Sequence, residues 1–143
     1  MGRRGERGRD SRHYYDWLEF AAEDLHCASI LLAEKQCLNA AGFHCQQAME
    51  KALKSFIMYH TGAPVDGHNI TWLCKTAGRH DAQVLGWLEM TPIMNRMYIE
   101  CRYPADLPPK YTLLELETIL NMATELYEYI CKVIYRQSDP EEE

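Results

Sequence analysis

No stretch of the sequence alternates apolar and polar residues with the period of two that a half-buried strand requires. An architecture built on sheets is excluded on that ground. No apolar run approaches the ~20 residues of a membrane-spanning helix, and nothing resembles a signal peptide, so a protein without membrane contact is expected. None of the six cysteines stands in a C-x-x-C pair. Cys27, Cys37, Cys45, Cys74, Cys101 and Cys131 are scattered, mostly inside helical patterns, and read as reduced, buried thiols in the cytoplasm. The adjacent pairs His26–Cys27 and His44–Cys45 point about 100° apart on a helix, so neither shares a ligand sphere easily, and no metal or cofactor is expected. A surplus of basic residues is lacking too, since the net charge is -6. Phosphate contacts supply most of the affinity in nonspecific nucleic-acid binding, so that function is not favoured. Trp72, Trp87 and Tyr98 could stack bases, but the interleaved basic residues of a single-strand groove are missing, and the three read as core or interface.

What charge there is lies unevenly. Residues 1–12 carry five Arg against Glu6 and Asp10, with three Gly and no periodicity. They read as a disordered basic arm, a solubilising start before a phosphate-touching one. Residues 137–143 form an acidic tail, and 13–136 remain as one helical domain. With 47% hydrophobic and 25% charged residues, the composition is ordinary for a globular fold.

The periodicity is helical throughout. Over residues 14–34, Leu18, Ala21, Leu25, Ala28 and Leu32 recur at the three–four spacing of one helix face. A second helix is expected over 39–60, stopped by Gly62 and Pro64. A short one follows near 69–76. The segment 82–90 and then 93–103 continue, with Thr91 as a cap and Pro92 at the first helical position. Thr112 and Glu115 form a capping box ahead of a last helix striped by Leu116, Ile119, Ala123, Tyr127, Ile130 and Ile134. The expectation is an all-α, up-and-down bundle of four to five helices, four of them long. Met90, Met94, Met97 and Tyr98 add more apolar stripe than such helices bury among themselves, which points to a homodimer.

Within residues 44–57, HCQQAMEKALKSFI, the side chains sort by angle. Ala41, Cys45, Ala48, Ala52, Leu53 and Phe56 share an arc of roughly 140°, the core face. His44, Gln47, Lys51, Lys54 and Ser55 share an adjacent arc, beside the core rather than opposite it. Gln46 and Glu50 lie on the remaining flank, where Glu50 can pair with Lys54 one turn on. The stripe is either a solvated face or the lining of a groove. Lys51 suits a phosphate as a point charge, and Gln47 can read a base edge or a ribose.

The ordered set FHCQQAMEKALKSFI (43–57), GHNITWL (67–73) and CRYP (101–104), preceded by WLEFAAEDLHCASILL (17–32), resembles the HEPN domain, the higher-eukaryote and prokaryote nucleotide-binding domain. The resemblance spans about residues 14–134. It implies a four- or five-helix bundle, often a homodimer, in which many relatives accompany or are fused to a minimal nucleotidyltransferase, as in a toxin–antitoxin-like pair. Other relatives are metal-independent ribonucleases with Arg, four to six residues, then His on a late helix. Here Arg79, Arg96 and Arg102 lack such a His, and Arg7 with His13 match the spacing only in the arm. The resemblance therefore implies a binding module rather than an enzyme. An RNA-cleaving toxin with a degenerate centre and a purely structural oligomerisation domain are the alternatives. The candidate nucleotide-binding residues are His44, Gln47, Lys51, His68, Arg102 and Tyr103. His68 is equally readable as a cap or a packed core histidine. Arg102 is equally readable as bonded to the last helix carbonyls or to an acid of the first helix such as Asp24.

Overall fold

The computed structural model of the chain describes residues 10–106 and 110–138. The basic-arm expectation for residues 1–9 and the acidic-tail expectation for 139–143 lie outside the described residues. Among the described residues five α-helices and one 3-10 segment follow in order: α1 (Tyr14–Ala33), α2 (Leu38–Thr61), α3 (Ile70–Gly78), the 3-10 segment (Ala82–Met90), α4 (Thr91–Glu100) and α5 (Leu113–Ser138). Among the described residues there is no strand. Three helices are long, with 20, 24 and 26 residues, where four were expected.

The difference lies in residues 82–100. The segment 82–90 winds as a 3-10 helix, capped by the Asp81 carboxylate accepting from the Gln83 N–H at 3.0 Å. Thr91 does not cap the helix it opens. Its buried hydroxyl instead donates to the Leu88 carbonyl at 2.7 Å and meets Thr71 Oγ1 of α3 at 2.8 Å. Thr91 is therefore the first residue of α4, and Pro92, whose missing N–H costs nothing in a first turn, follows it. Met90, Met94 and Met97 pack into the core of the single chain. The surplus apolar stripe expected of them is absent, because α2, α3 and the 3-10 segment all pack against α4 and Met97 meets Gly42 of α2.

Helix α2 touches all four other helices. Leu18, Ala21, Ala28 and Leu32 of α1 and Leu116, Ile119, Leu126, Ile130 and Ile134 of α5 close its long sides. Ile70, Leu73, Cys74 and Ala77 of α3 close its C-terminal part. Gly42 lets α4 approach closely: a Cβ there would lie 2.6 Å from Met97 Cε and 2.9 Å from Cys101 Sγ. The capping box forms as read, the Thr112 N–H donating to Glu115 Oε1 at 3.2 Å and the Glu115 N–H to Thr112 Oγ1 at 3.0 Å. No helix is long and apolar enough to cross a membrane among the described residues.

The central position of α2 has a consequence for its polar residues. Gln46 and Glu50, which periodicity placed on the flank, and Lys54, which it placed in the polar stripe, are enclosed: Gln46 is 0% exposed, Glu50 4% and Lys54 5%. Charged groups taken out of water must find partners.

Candidate functional site

Two carboxylates organise those partners. Asp24, buried on α1, takes one group on each oxygen: His44 Nδ1 lies 2.8 Å from Oδ1, and Lys51 Nζ donates to Oδ2 at 2.7 Å. His44 and Lys51 are two helical turns apart on α2, so their side chains straddle a single acid on the facing helix. Lys51 also lies over the Phe20 ring, 5.6 Å from its centre. Its end forms part of the wall of a cavity of about 410 Å³ lined by Asp10, Ser11, Asp16, Trp17 and Phe20. Ser11, at the end of the expected arm, is tied to α1: its hydroxyl donates to Asp16 at 2.6 Å and its carbonyl accepts from Trp17 Nε1 at 2.9 Å.

Glu50 organises the second group from within α2. Gln46 Nε2 donates to Oε1 at 3.1 Å, Lys54 Nζ to Oε2 at 3.1 Å, and His68 Nδ1 lies 3.1 Å from both oxygens. Gln47 joins through its neighbour, Nε2 donating to Gln46 Oε1 at 2.8 Å. Lys54 lies over Trp17, 5.6 Å from the ring centre. The pairing of Glu50 with Lys54 is the one read from the spacing, although it lies inside the fold.

The third group is aromatic. His68 stacks on Tyr98 of α4 with ring centres 4.5 Å apart. The Arg102 guanidinium sits over three rings, 4.5 Å from the centre of Tyr98, 5.0 Å from Tyr103 and 5.8 Å from Phe43. Its Nη2 donates to the Tyr103 hydroxyl at 3.0 Å. Asp24, the acid that could have paired with it, is committed to His44 and Lys51. Among the described residues Arg102 has no carboxylate partner.

The six candidate residues thus fall into three linked sets. His44 and Lys51 meet on Asp24; Gln47 reaches His68 through Gln46 and Glu50; His68 and Arg102 share Tyr98, with Tyr103 beside Arg102. Phe43 lies edge-on to His44, ring centres 6.0 Å apart, and under Arg102, which connects the first set to the third. Sequence reasoning did not single out Asp24, Gln46, Glu50, Phe43 and Tyr98 as parts of this surface. The Gln46–Glu50–Lys54 ladder was visible in its four-residue spacing; its burial was not.

Three of the thiols are held in the protonated form. Burial pushes Cys45 up to about 12, and Cys74 and Cys101 to about 11, so all three stay protonated near neutral pH. Only Cys45 and Cys74 are fully buried as expected; Cys27, Cys101 and Cys131 are half-buried and Cys37 is exposed. Of the aromatic residues read as core or interface, Trp87 packs near Tyr129, ring centres 5.8 Å apart, while Trp72 is half exposed. Among the described residues no group of three or more His, Cys, Asp or Glu stands where it could hold a metal ion.

The model of the HEPN domain matches residues 14–134, and the chain belongs to that family. Its structure is similar to that of TT1696 from Thermus thermophilus, with a TM-score of 0.73 and 29% identity over 85% of this chain and 98% of the other. It also shares its fold with ST0689, an archaeal HEPN homologue, with a TM-score of 0.67 and 23% identity over the same shares. No curated protein matches the sequence.

Proposed function

We propose that the chain is a nucleotide-binding module in which Arg102 holds a phosphate beside the rings of Tyr98, Tyr103 and Phe43. The observation that carries this reading is the distribution of counter-charges. Lys51 and Lys54 already have carboxylates, on Asp24 and Glu50, so an anion arriving there would have to displace a bonded acid. Arg102 carries its charge over rings and, among the described residues, has no acid to give up. A planar guanidinium suits phosphate, and Tyr103, more than half exposed, offers a face for a base. His44, Gln47 and Lys51 then border the site and shape it through Asp24 and Phe43.

The family resemblance supports a nucleotidyltransferase as the partner of this module, in a toxin–antitoxin-like pair, with the chain itself as a homodimer. Six free cysteines suit the reducing cytoplasm. Calorimetry with a panel of nucleoside mono- and triphosphates tests the reading. Arg102→Ala should weaken binding about ten- to a hundredfold, the worth of a charged hydrogen bond. Lys51→Ala should change affinity less than about threefold, since its charge is already spent on Asp24. Absence of nucleotide binding at millimolar concentration, or equal affinity in Arg102→Ala, removes the proposal and leaves the structural oligomerisation domain as the reading.

A further inference from the structure

His68 and Arg102 come from different parts of the chain and pack on one ring. His68 belongs to the loop ahead of α3, Arg102 to the turn after α4, and each lies 4.5 Å from the centre of Tyr98. Behind His68 stands Glu50, 4% exposed, whose oxygens also accept from Gln46 and Lys54. A carboxylate that collects these donors offers them lone pairs only and has no hydrogen of its own to give. The hydrogen in the His68–Glu50 contact therefore belongs to Nδ1. In the neutral imidazole that leaves Nε2 as a lone-pair acceptor, its tautomer fixed from behind. Nδ1 turns inward to Glu50, while 45% of the His68 side chain remains accessible. No described residue bonds to Nε2.

We propose that His68 accepts a hydrogen bond from a sugar hydroxyl of the ligand, so that the site selects nucleotides with an intact ribose. This inference rests on the nucleotide reading above and adds to it the ligand's sugar. The division of labour follows from what each group can offer. Arg102 has only donors and takes the phosphate, which has only acceptors. Nε2 offers a lone pair, which a phosphate oxygen repels and a hydroxyl satisfies. In a nucleotide, the hydroxyls that follow the phosphate along the molecule are those of the ribose. Glu50 is the positioning residue: it never touches the ligand, but it decides which ring nitrogen carries the hydrogen. Gln46 and Lys54, in turn, hold Glu50 in place.

The test compares AMP with 2′,3′-dideoxy-AMP by calorimetry at pH 7.5 on wild type, His68→Ala and Arg102→Ala. Wild type should prefer AMP by about three- to tenfold, the range of one neutral hydrogen bond. His68→Ala should bind the two ligands equally, at the wild-type affinity for the dideoxy compound. Arg102→Ala should weaken both and keep their ratio. His68 is half exposed, so its replacement should leave the unfolding midpoint of the fold within a few degrees, which a thermal melt verifies. Wild type that binds both ligands equally overturns this inference while the nucleotide reading survives. His68→Ala that weakens both ligands alike overturns it too, since His68 then contacts the phosphate. Wild type that binds neither ligand at millimolar concentration removes the nucleotide reading and this inference with it.

Discussion

Glu50 concentrates more of the buried polar chemistry than any other residue of α2. It receives Gln46, Lys54 and His68 while almost wholly removed from water. The ion pair with Lys54 contributes little net stability, because desolvating both groups offsets their attraction. Removing one partner is different, since it strands the other charge in the core. Glu50→Leu should therefore destabilise the fold by about 3–5 kcal/mol in urea unfolding, and adding Lys54→Met should recover most of the loss. A single variant within about 1 kcal/mol of wild type would show that Lys54 escapes to solvent. A second residue sets a pH dependence. His60, near the end of α2, stacks on His80 with ring centres 4.8 Å apart, and its buried Nε2 has no hydrogen-bond partner among the described residues. Burial, and then the charge of His80, lower its pKa from the ordinary 6.5, against an opposing pull from Asp81. The folded state thus binds fewer protons here than the unfolded chain. Its contribution is present above about pH 6.5 and is lost as pH falls through the lowered value. Chemical unfolding between pH 7.5 and 5.5 should show stability falling with acid, and His60→Phe should flatten that fall. An unchanged slope in the variant would assign the acid sensitivity to other groups.

At the scale of elements, helices with a long stripe and a chemical stop were legible. Those for α1, α2 and α5 came within a few residues of the observed ends, since the apolar positions fix the core face and Gly62, Pro64 and the Thr112–Glu115 box fix boundaries. The Thr112 cap satisfies an N–H that the first turn leaves open, so Thr112→Ala should cost about 1 kcal/mol without moving any other element. A melt that does not shift would mean water replaces the hydroxyl in full. Residues 82–100 were not legible in the same way. A nine-residue piece interrupted by Gly86 carries too few turns for its period to decide between 3-10 and α, and the hydroxyl of Thr91 answers to Thr71 and Leu88 rather than to its own helix. The candidate site followed the same division. The polar stripe of α2 could be read from angles within one helix. That Asp24 would claim His44 and Lys51, leaving Arg102 without an acid among the described residues, depends on how α1 and α4 lie against α2, and no spacing within α2 encodes that. The turn joining α1 to α2 likewise places Lys35 and Cys37 at φ 55° and 52°. A Cβ is strained in the left-handed region, so Lys35→Gly should stabilise the fold by about 0.5–1 kcal/mol in spite of the greater freedom glycine gives the unfolded chain.

For the molecule as a whole, the question is what covers the apolar surface that one chain leaves open. The methionines of residues 90–97 do not contribute to it, because they are spent on the core. The open surface lies elsewhere. At the end of the bundle where the Tyr111 hydroxyl donates to Glu100 at 2.7 Å, joining the C-terminus of α4 to the segment entering α5, Ile99 is 60% exposed and Leu114 73%. Isolated exposed apolar residues are common on soluble proteins, but two large aliphatic side chains near one junction are what a self-complementary contact uses. A homodimer joined at this end would run beside Arg102, whose backbone N–H bonds to the Ile99 carbonyl at 3.1 Å. Assembly and the proposed phosphate site would then be coupled. Sedimentation at micromolar concentration should give about twice the 16.7 kDa of the chain. Leu114→Asp should shift it to the single-chain mass without lowering the unfolding midpoint by more than a few degrees, because the side chain contributes little to the core. A wild type that sediments as one chain sinks the dimer. A Leu114→Asp variant that remains dimeric moves the contact to another face, such as the one around Phe20 and Ile30 of α1.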